Sequence, residues 1–93
     1  MLNVNEYFEG AVKSISLKNE EGTSTVGVME AGTYEFGTTT IELMTVTSGQ
    51  LEVLLPGESD WKTYRKGETF RVEKDVRFQV KAAEQVAYFC LYL

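Results

Sequence analysis

Short runs of alternating apolar and polar residues, punctuated by glycine, recur from end to end of this chain, and no stretch of a dozen residues sustains helical spacing. The pattern predicts an all-β protein. Strands are expected at Gly10 to Leu17, Thr25 to Met29, Gly32 to Phe36, Ile41 to Thr47, Gln50 to Leu55, Thr69 to Val72, Val76 to Lys81 and Val86 to Tyr92. Turn residues separate them: Asn19-Glu20-Glu21-Gly22, Ala31-Gly32, Ser48-Gly49, Pro56-Gly57-Glu58-Ser59-Asp60 and Lys66-Gly67. Ser48-Gly49 reads as a tight hairpin whose flanks, Met44 and Val46 before and Leu51, Val53 and Leu55 after, line the interior. Many short, evenly spaced strands favour a sandwich or closed barrel over any βαβ arrangement. No linker or repeat divides residues 1–93, so one domain is expected.

Composition narrows the field. A chain of 93 residues has limited burial, and self-association is a natural stabiliser, so a homodimer is expected. With a formal charge of -5 and no run of Lys or Arg, the chain offers no stripe for a phosphate backbone, which argues against nucleic-acid polymers as partners. A small anion would have to be held by a local cluster against the overall field. No segment has the apolar core of a signal peptide or the length of a membrane span, so a cytoplasmic protein without a membrane partner is expected. Cys90, the single cysteine, lies in the apolar run Val86 to Leu93 and reads as a small buried hydrophobe.

Candidate chemistry centres on Glu42. Alternation puts Glu42, Met44 and Val46 on one strand face and Leu43, Thr45 and Thr47 on the other. If the first face is the lumen, a carboxylate is sunk among apolar groups and must be paired, hydrogen-bonded, wet or protonated. The competing reading is a solvated glutamate on an edge strand. Tyr34 and Phe36 share a face, as do Tyr88 and Tyr92 with Cys90 between them, and Trp61 follows the Pro56 turn. Tyrosines supply flat apolar surface with a hydroxyl handle, suited to a base or sugar ring, although aromatics in small β-domains are more often core. Lys13, beside Ser14, is placed to present an ammonium at a rim, whereas Arg77 alternates with Val76 and Phe78 and should point outward; Lys62, Arg65 and Lys66 form a solvated face. The absence of histidine excludes Ser-His-Asp catalysis and His-based metal sites, and one cysteine excludes a zinc cluster. No glycine-rich phosphate loop occurs.

The stretch Glu42-Leu43-Met44-Thr45-Val46-Thr47-Ser48-Gly49 resembles the first motif of the cupin β-barrels, except that the upstream metal-binding histidines are missing from Glu35-Phe36-Gly37-Thr38. Asn5-Glu6-Tyr7-Phe8-Glu9-Gly10-Ala11-Val12-Lys13-Ser14, Val26-Gly27-Val28-Met29, Gly32-Thr33-Tyr34-Glu35-Phe36, Ser48 to Pro56, Asp60-Trp61 and Tyr88-Phe89-Cys90-Leu91-Tyr92-Leu93 extend the likeness over nearly the whole chain. In order and total length these blocks resemble the short bacterial pyrimidine/purine nucleoside phosphorylases. The resemblance implies a homodimeric, cupin-type (RmlC-like jelly-roll) barrel. It also implies phosphorolysis of adenosine, guanosine, inosine, xanthosine, cytidine, uridine and thymidine to free base and (deoxy)ribose 1-phosphate, with no metal or organic cofactor and inorganic phosphate as co-substrate. One departure lies in the second motif, where Glu73-Lys74 replaces the Pro-Gly the family tends to place.

Phosphorolysis passes through a cationic sugar, and its nucleophile arrives already ionised, so a histidine-free site is tolerable. Expected roles are Glu42 for the ribose and the developing charge, Tyr34, Phe36, Met44 and Tyr88 for base and sugar walls, and Lys13 with Ser14 for phosphate. Three other readings stay open: a non-catalytic cupin that binds a nucleoside or sugar, a metal-dependent cupin enzyme, and a purely structural dimerisation module.

Overall fold

The computed structural model describes all residues, 1–93. Its strands are β1 (Val4–Tyr7), β2 (Val12–Asn19), β3 (Gly22–Met29), β4 (Gly32–Gly37), β5 (Glu42–Ser48), β6 (Gln50–Leu54), β7 (Lys62–Arg65), β8 (Thr69–Val72), β9 (Arg77–Ala82) and β10 (Val86–Tyr92). A six-stranded sheet, β1-β2-β3-β10-β5-β8, faces a four-stranded one, β4-β9-β6-β7, and every pairing is antiparallel. The all-β expectation therefore holds, as a jelly-roll sandwich rather than a cylinder closed by continuous hydrogen bonding.

All eight expected strands are present within a few residues of their expected ends. The additional ones, β1 and β7, are a sheet-edge strand of each sheet, with sequences Val-Asn-Glu-Tyr and Lys-Thr-Tyr-Arg that carry almost no apolar alternation. Edge strands meet few apolar neighbours, which removes the pattern that reveals a central strand.

Ser48-Gly49 is not a hairpin. β5 pairs with β10 and β8, whereas β6 pairs with β9 and β7, so the turn carries the chain from one sheet to the other. Gly49, at φ +85°, makes that sharp change of direction, and a Cβ there would press on Val86 Cγ2 at 3.2 Å. The tight hairpin is instead β2–β3, where Asn19 pairs with Gly22 and the Glu21 N–H donates to Asn19 Oδ1 at 2.9 Å.

The core fills the space between the sheets. Val12, Met29, Met44, Val46, Phe70, Val72 and Val86 come from the larger sheet, and Tyr34, Leu51, Val53, Phe78, Val80 and Ala82 from the smaller. Met44, Val46, Leu51 and Val53 are buried as the alternation required, with Leu55 partly so. Tyr64, Phe70 and Phe78 close the β7–β8 side, with ring centroids at 4.8 Å and 6.3 Å. The turn bearing Glu73-Lys74 is clipped by Thr38, whose Oγ1 donates to Glu73 O at 2.7 Å and accepts from Val76 N–H at 3.1 Å. Asp75 takes the left-handed position of this turn, at φ 59°. No helix is long and apolar enough to cross a membrane.

Candidate active site

A cavity of about 480 Å³ lies between the sheets, inside the range of small-ligand sites. Ser14, Met44, Phe78, Tyr88 and Cys90 form its buried floor, with Phe36, Glu42 and Tyr92 half-buried beside them. Tyr7, Phe8, Glu35, Gly37 and Thr39 reach solvent and mark the mouth, between β1 and its following turn on one side and β4 on the other.

Strand register explains why these side chains converge. Ser14, Gly27, Tyr88 and Val46 form one row across β2, β3, β10 and β5. Thr25, Cys90, Met44 and Phe70 form a second, and Thr23, Tyr92, Glu42 and Val72 a third. Alternation turns all three rows to the same face, toward the other sheet. Gly27 has a particular place in the first row: a Cβ there would overlap the Tyr88 ring, so the tyrosine lies flat over bare backbone. Nothing in the local sequence pattern of β3 signals this, because the contact is set by a strand sixty residues on.

Burial raises the Glu42 carboxyl above its ordinary value of 4.5, and a hydrogen bond from the Cys90 thiol, 3.3 Å from Oε1, partly offsets this. The thiol itself is pushed far up by burial and by the adjacent carboxylate, so it stays a protonated donor. Cys90 is thus buried, as expected, but it is also the group that orients Glu42. Tyr92 Oη lies 3.0 Å from Thr25 Oγ1 and is raised mainly by burial. Tyr88 is pushed up to about 12, mainly by burial, and Asn5 Nδ2 donates to Ser14 Oγ at 3.3 Å. Tyr88, Cys90 and Tyr92, all pushed upward, therefore surround the Glu42 carboxyl as neutral hydroxyl and thiol groups.

The structure brings Glu42, Phe36, Met44, Tyr88 and Ser14 into one cavity. It does not bring Lys13 or Tyr34. Lys13 is exposed on the opposite face of β2, with Nζ 3.6 Å from Glu6 Oε1, because consecutive strand residues face opposite ways and Ser14 takes the inward position. Tyr34 is buried behind the lining and donates from Oη to Glu30 O at 2.8 Å. Tyr92 joins the lining on the face it shares with Tyr88, and Tyr7, Phe8 and Thr39 join it as residues to which the alternation pattern gave no role.

No lysine or arginine lines the cavity. Arg77 points outward, as expected, but its Nη1 is 3.5 Å from Oε2 of Glu35, a residue of the mouth. No three His, Cys, Asp or Glu side chains converge as a metal-binding group. The segment where cupin histidines would stand, Glu35-Phe36-Gly37-Thr38, instead lines the cavity with Glu35, Phe36 and Gly37.

Residues 2–92 match the family model described as "Pyrimidine/purine nucleoside phosphorylase". A curated protein of that name from Shewanella pealeana is 59% identical over 92 residues, which is 99% of each chain. The crystal structure of a Vibrio parahaemolyticus protein of unknown function superposes with a TM-score of 0.96 at 43% identity, covering 100% of this chain and 99% of that one. An RmlC-like cupin from Shewanella frigidimarina, 18% identical, superposes with a TM-score of 0.74 over 97% of this chain and 81% of its own, a likeness of fold alone.

Proposed function

The chain belongs to the pyrimidine/purine nucleoside phosphorylase family, and from that membership and the shape of the cavity we propose that it cleaves the N-glycosidic bond of purine and pyrimidine nucleosides with inorganic phosphate. The products are free base and ribose or deoxyribose 1-phosphate, which makes the protein a pentosyltransferase. The observation that carries the reading is a single half-buried carboxylate, Glu42, inside an aromatic-walled cavity large enough for a nucleoside.

In this mechanism the ribose lies against Glu42. A carboxylate in a partly desolvated site stabilises the cationic sugar more strongly than one in water, since screening is weaker there. The Cys90 S–H donates to one carboxylate oxygen and leaves the other free for a ribose hydroxyl or the developing charge. As the C–N bond breaks, its electron pair leaves with the base, a phosphate oxygen forms the new bond to C1 of the sugar, and the proton that hydrogen phosphate gives up ends on the base. Phosphate meets hydroxyl donors, Ser14 foremost and Thr39 at the mouth, rather than a cation of the lining. Phe36, Met44 and Tyr88 supply the walls for base and sugar, with Tyr34 supporting Phe36 from behind at 6.3 Å between ring centroids. Walls of this kind offer few base-edge contacts, which suits acceptance of adenosine, guanosine, inosine, xanthosine, cytidine, uridine and thymidine alike. The chemistry so described calls for no metal.

A homodimer in the cytoplasm belongs to the same proposal. The outer face of the six-stranded sheet carries Ile15, Leu17, Val26 and Val28 in exposed positions, and Val4, Ile15, Val26 and Phe89 form one continuous row across it. A second copy of this chain, meeting the same apolar face about a two-fold axis, covers it without an unmatched edge.

Incubating the purified protein with uridine or adenosine, with and without phosphate, and following free base tests the activity. Phosphate-dependent release of base and a sugar phosphate is expected. Binding of nucleoside without any such release would favour a non-catalytic binding cupin.

A further inference from the structure

Phe8, Glu9 and Gly10 all adopt positive φ, at 53°, 57° and 89°. Glycine takes this conformation freely, but two consecutive residues with side chains in it are uncommon and strained. Burial does not compensate at Phe8, which keeps 46% of its surface exposed. Nor does capping, because no side chain caps the turn, and its one local bond runs from Ala11 N–H to Phe8 O at 3.1 Å. Glycine at position 8 would make the same turn with less strain. The backbone therefore does not explain the phenyl group; its surroundings do. The ring sits tilted against Tyr34, with centroids 5.0 Å apart, and edge-on to Phe36 at 5.6 Å and 86°, and it also lines the cavity mouth.

We propose that Phe8 is the stacking platform for the nucleobase, presented at the cavity mouth by this left-handed turn. The inference rests on the phosphorylase reading above and adds to it a specificity-determining residue. An aromatic ring braced by two others yet open to solvent suits a planar ligand, because every base has a π-face and stacking does not depend on the hydrogen-bonding edge. The nucleoside then lies with its base at Phe8 and its sugar toward Glu42, so the strained turn contributes to binding the base and not to the electrostatics at the sugar. Purines, with the larger π surface, gain more from it than pyrimidines.

Phe8→Leu keeps apolar volume and removes the ring. With the full-length protein, the KM for adenosine should rise about tenfold, that for uridine less, and the KM for phosphate should stay within about twofold of wild type. Phe8→Trp should retain near wild-type KM values. Phe8→Gly relaxes the turn, and should melt no lower than Phe8→Leu while showing the same loss for nucleoside, which separates stacking from support of the fold. Unchanged nucleoside KM in Phe8→Leu, or an equal rise for phosphate, would overturn the proposal. If wild type releases no base, calorimetric binding of adenosine to wild type and Phe8→Leu decides instead: weaker binding by the variant sustains the platform while the phosphorylase reading fails, and equal binding, or none to wild type, overturns it.

Discussion

Glu42 is the residue at which folding stability and the proposed catalytic role pull in opposite directions. Its pKa is raised in the folded protein by burial, so protonation favours folding. The favourable contribution is complete below the unfolded value of 4.5 and is lost as pH rises through the folded value; above it the ionised side chain is a burden on the fold. Glu42→Gln keeps the shape, can still accept from the Cys90 thiol, and removes that burden. Its melting temperature should match or modestly exceed wild type at pH 7 to 8, with the difference vanishing near pH 4, while turnover falls roughly 100-fold or more through loss of the stabilising charge. Melting curves across pH combined with steady-state rates check both halves. Unchanged turnover would reduce Glu42 to a framework residue. Alternation along β5 is enough to put Glu42 on the face of Met44 and Val46, because each strand residue's facing is fixed by its immediate neighbours; the burial of those two shows that this face is the inner one. The same rule separates Lys13 from Ser14: adjacent residues of β2 cannot both enter the lumen, and the smaller one does.

Among the elements, β10 supplies Tyr88 and Cys90 to the floor, and β3 lies beside it as its paired neighbour. Gly27 leaves room for the Tyr88 ring to lie toward Ser14, so the position of an aromatic wall depends on the absence of a side chain on the neighbouring strand. Gly27→Ala should displace Tyr88, lower stability by about 1–3 kcal/mol as an overpacked interior does, and raise the nucleoside KM; chemical denaturation and kinetics would detect both. A variant as stable and active as wild type would show that the ring has freedom to move. The crossover at Ser48-Gly49 illustrates the limit of local reading. A two-residue turn between two well-patterned strands has the sequence of a hairpin whether or not those strands pair, and here each found its partners elsewhere, in β10, β8, β9 and β7. By contrast the Asn19 to Gly22 turn joins strands that do pair, along eight registered positions.

For the whole molecule, the six-stranded sheet buries one face against its partner sheet and leaves the other markedly apolar. Val26, 49% exposed in the middle of that face, is flanked across the strands by Ile15 and Phe89. Val26→Glu should place a charge at the centre of the proposed dimer contact, so that light scattering reports a monomer where wild type gives a dimer. A wild-type monomer would show that the face is not a contact between copies. At the cavity mouth Arg77 partly offsets the charge of Glu35.

Legible in the chain were the all-β class, the positions of the central strands, the common face of Glu42, Met44 and Val46, and, through its resemblance along nearly the full length, the family. These follow from side-chain period and turn residues, which act over a few neighbouring positions. Tertiary structure alone decided which strands share a sheet, that Cys90 donates to Glu42 across two strands, that Gly27 yields its space to Tyr88, and that no cation enters the cavity. Each of those is a contact between residues far apart in the chain, fixed by register and packing, and local alternation carries no record of it.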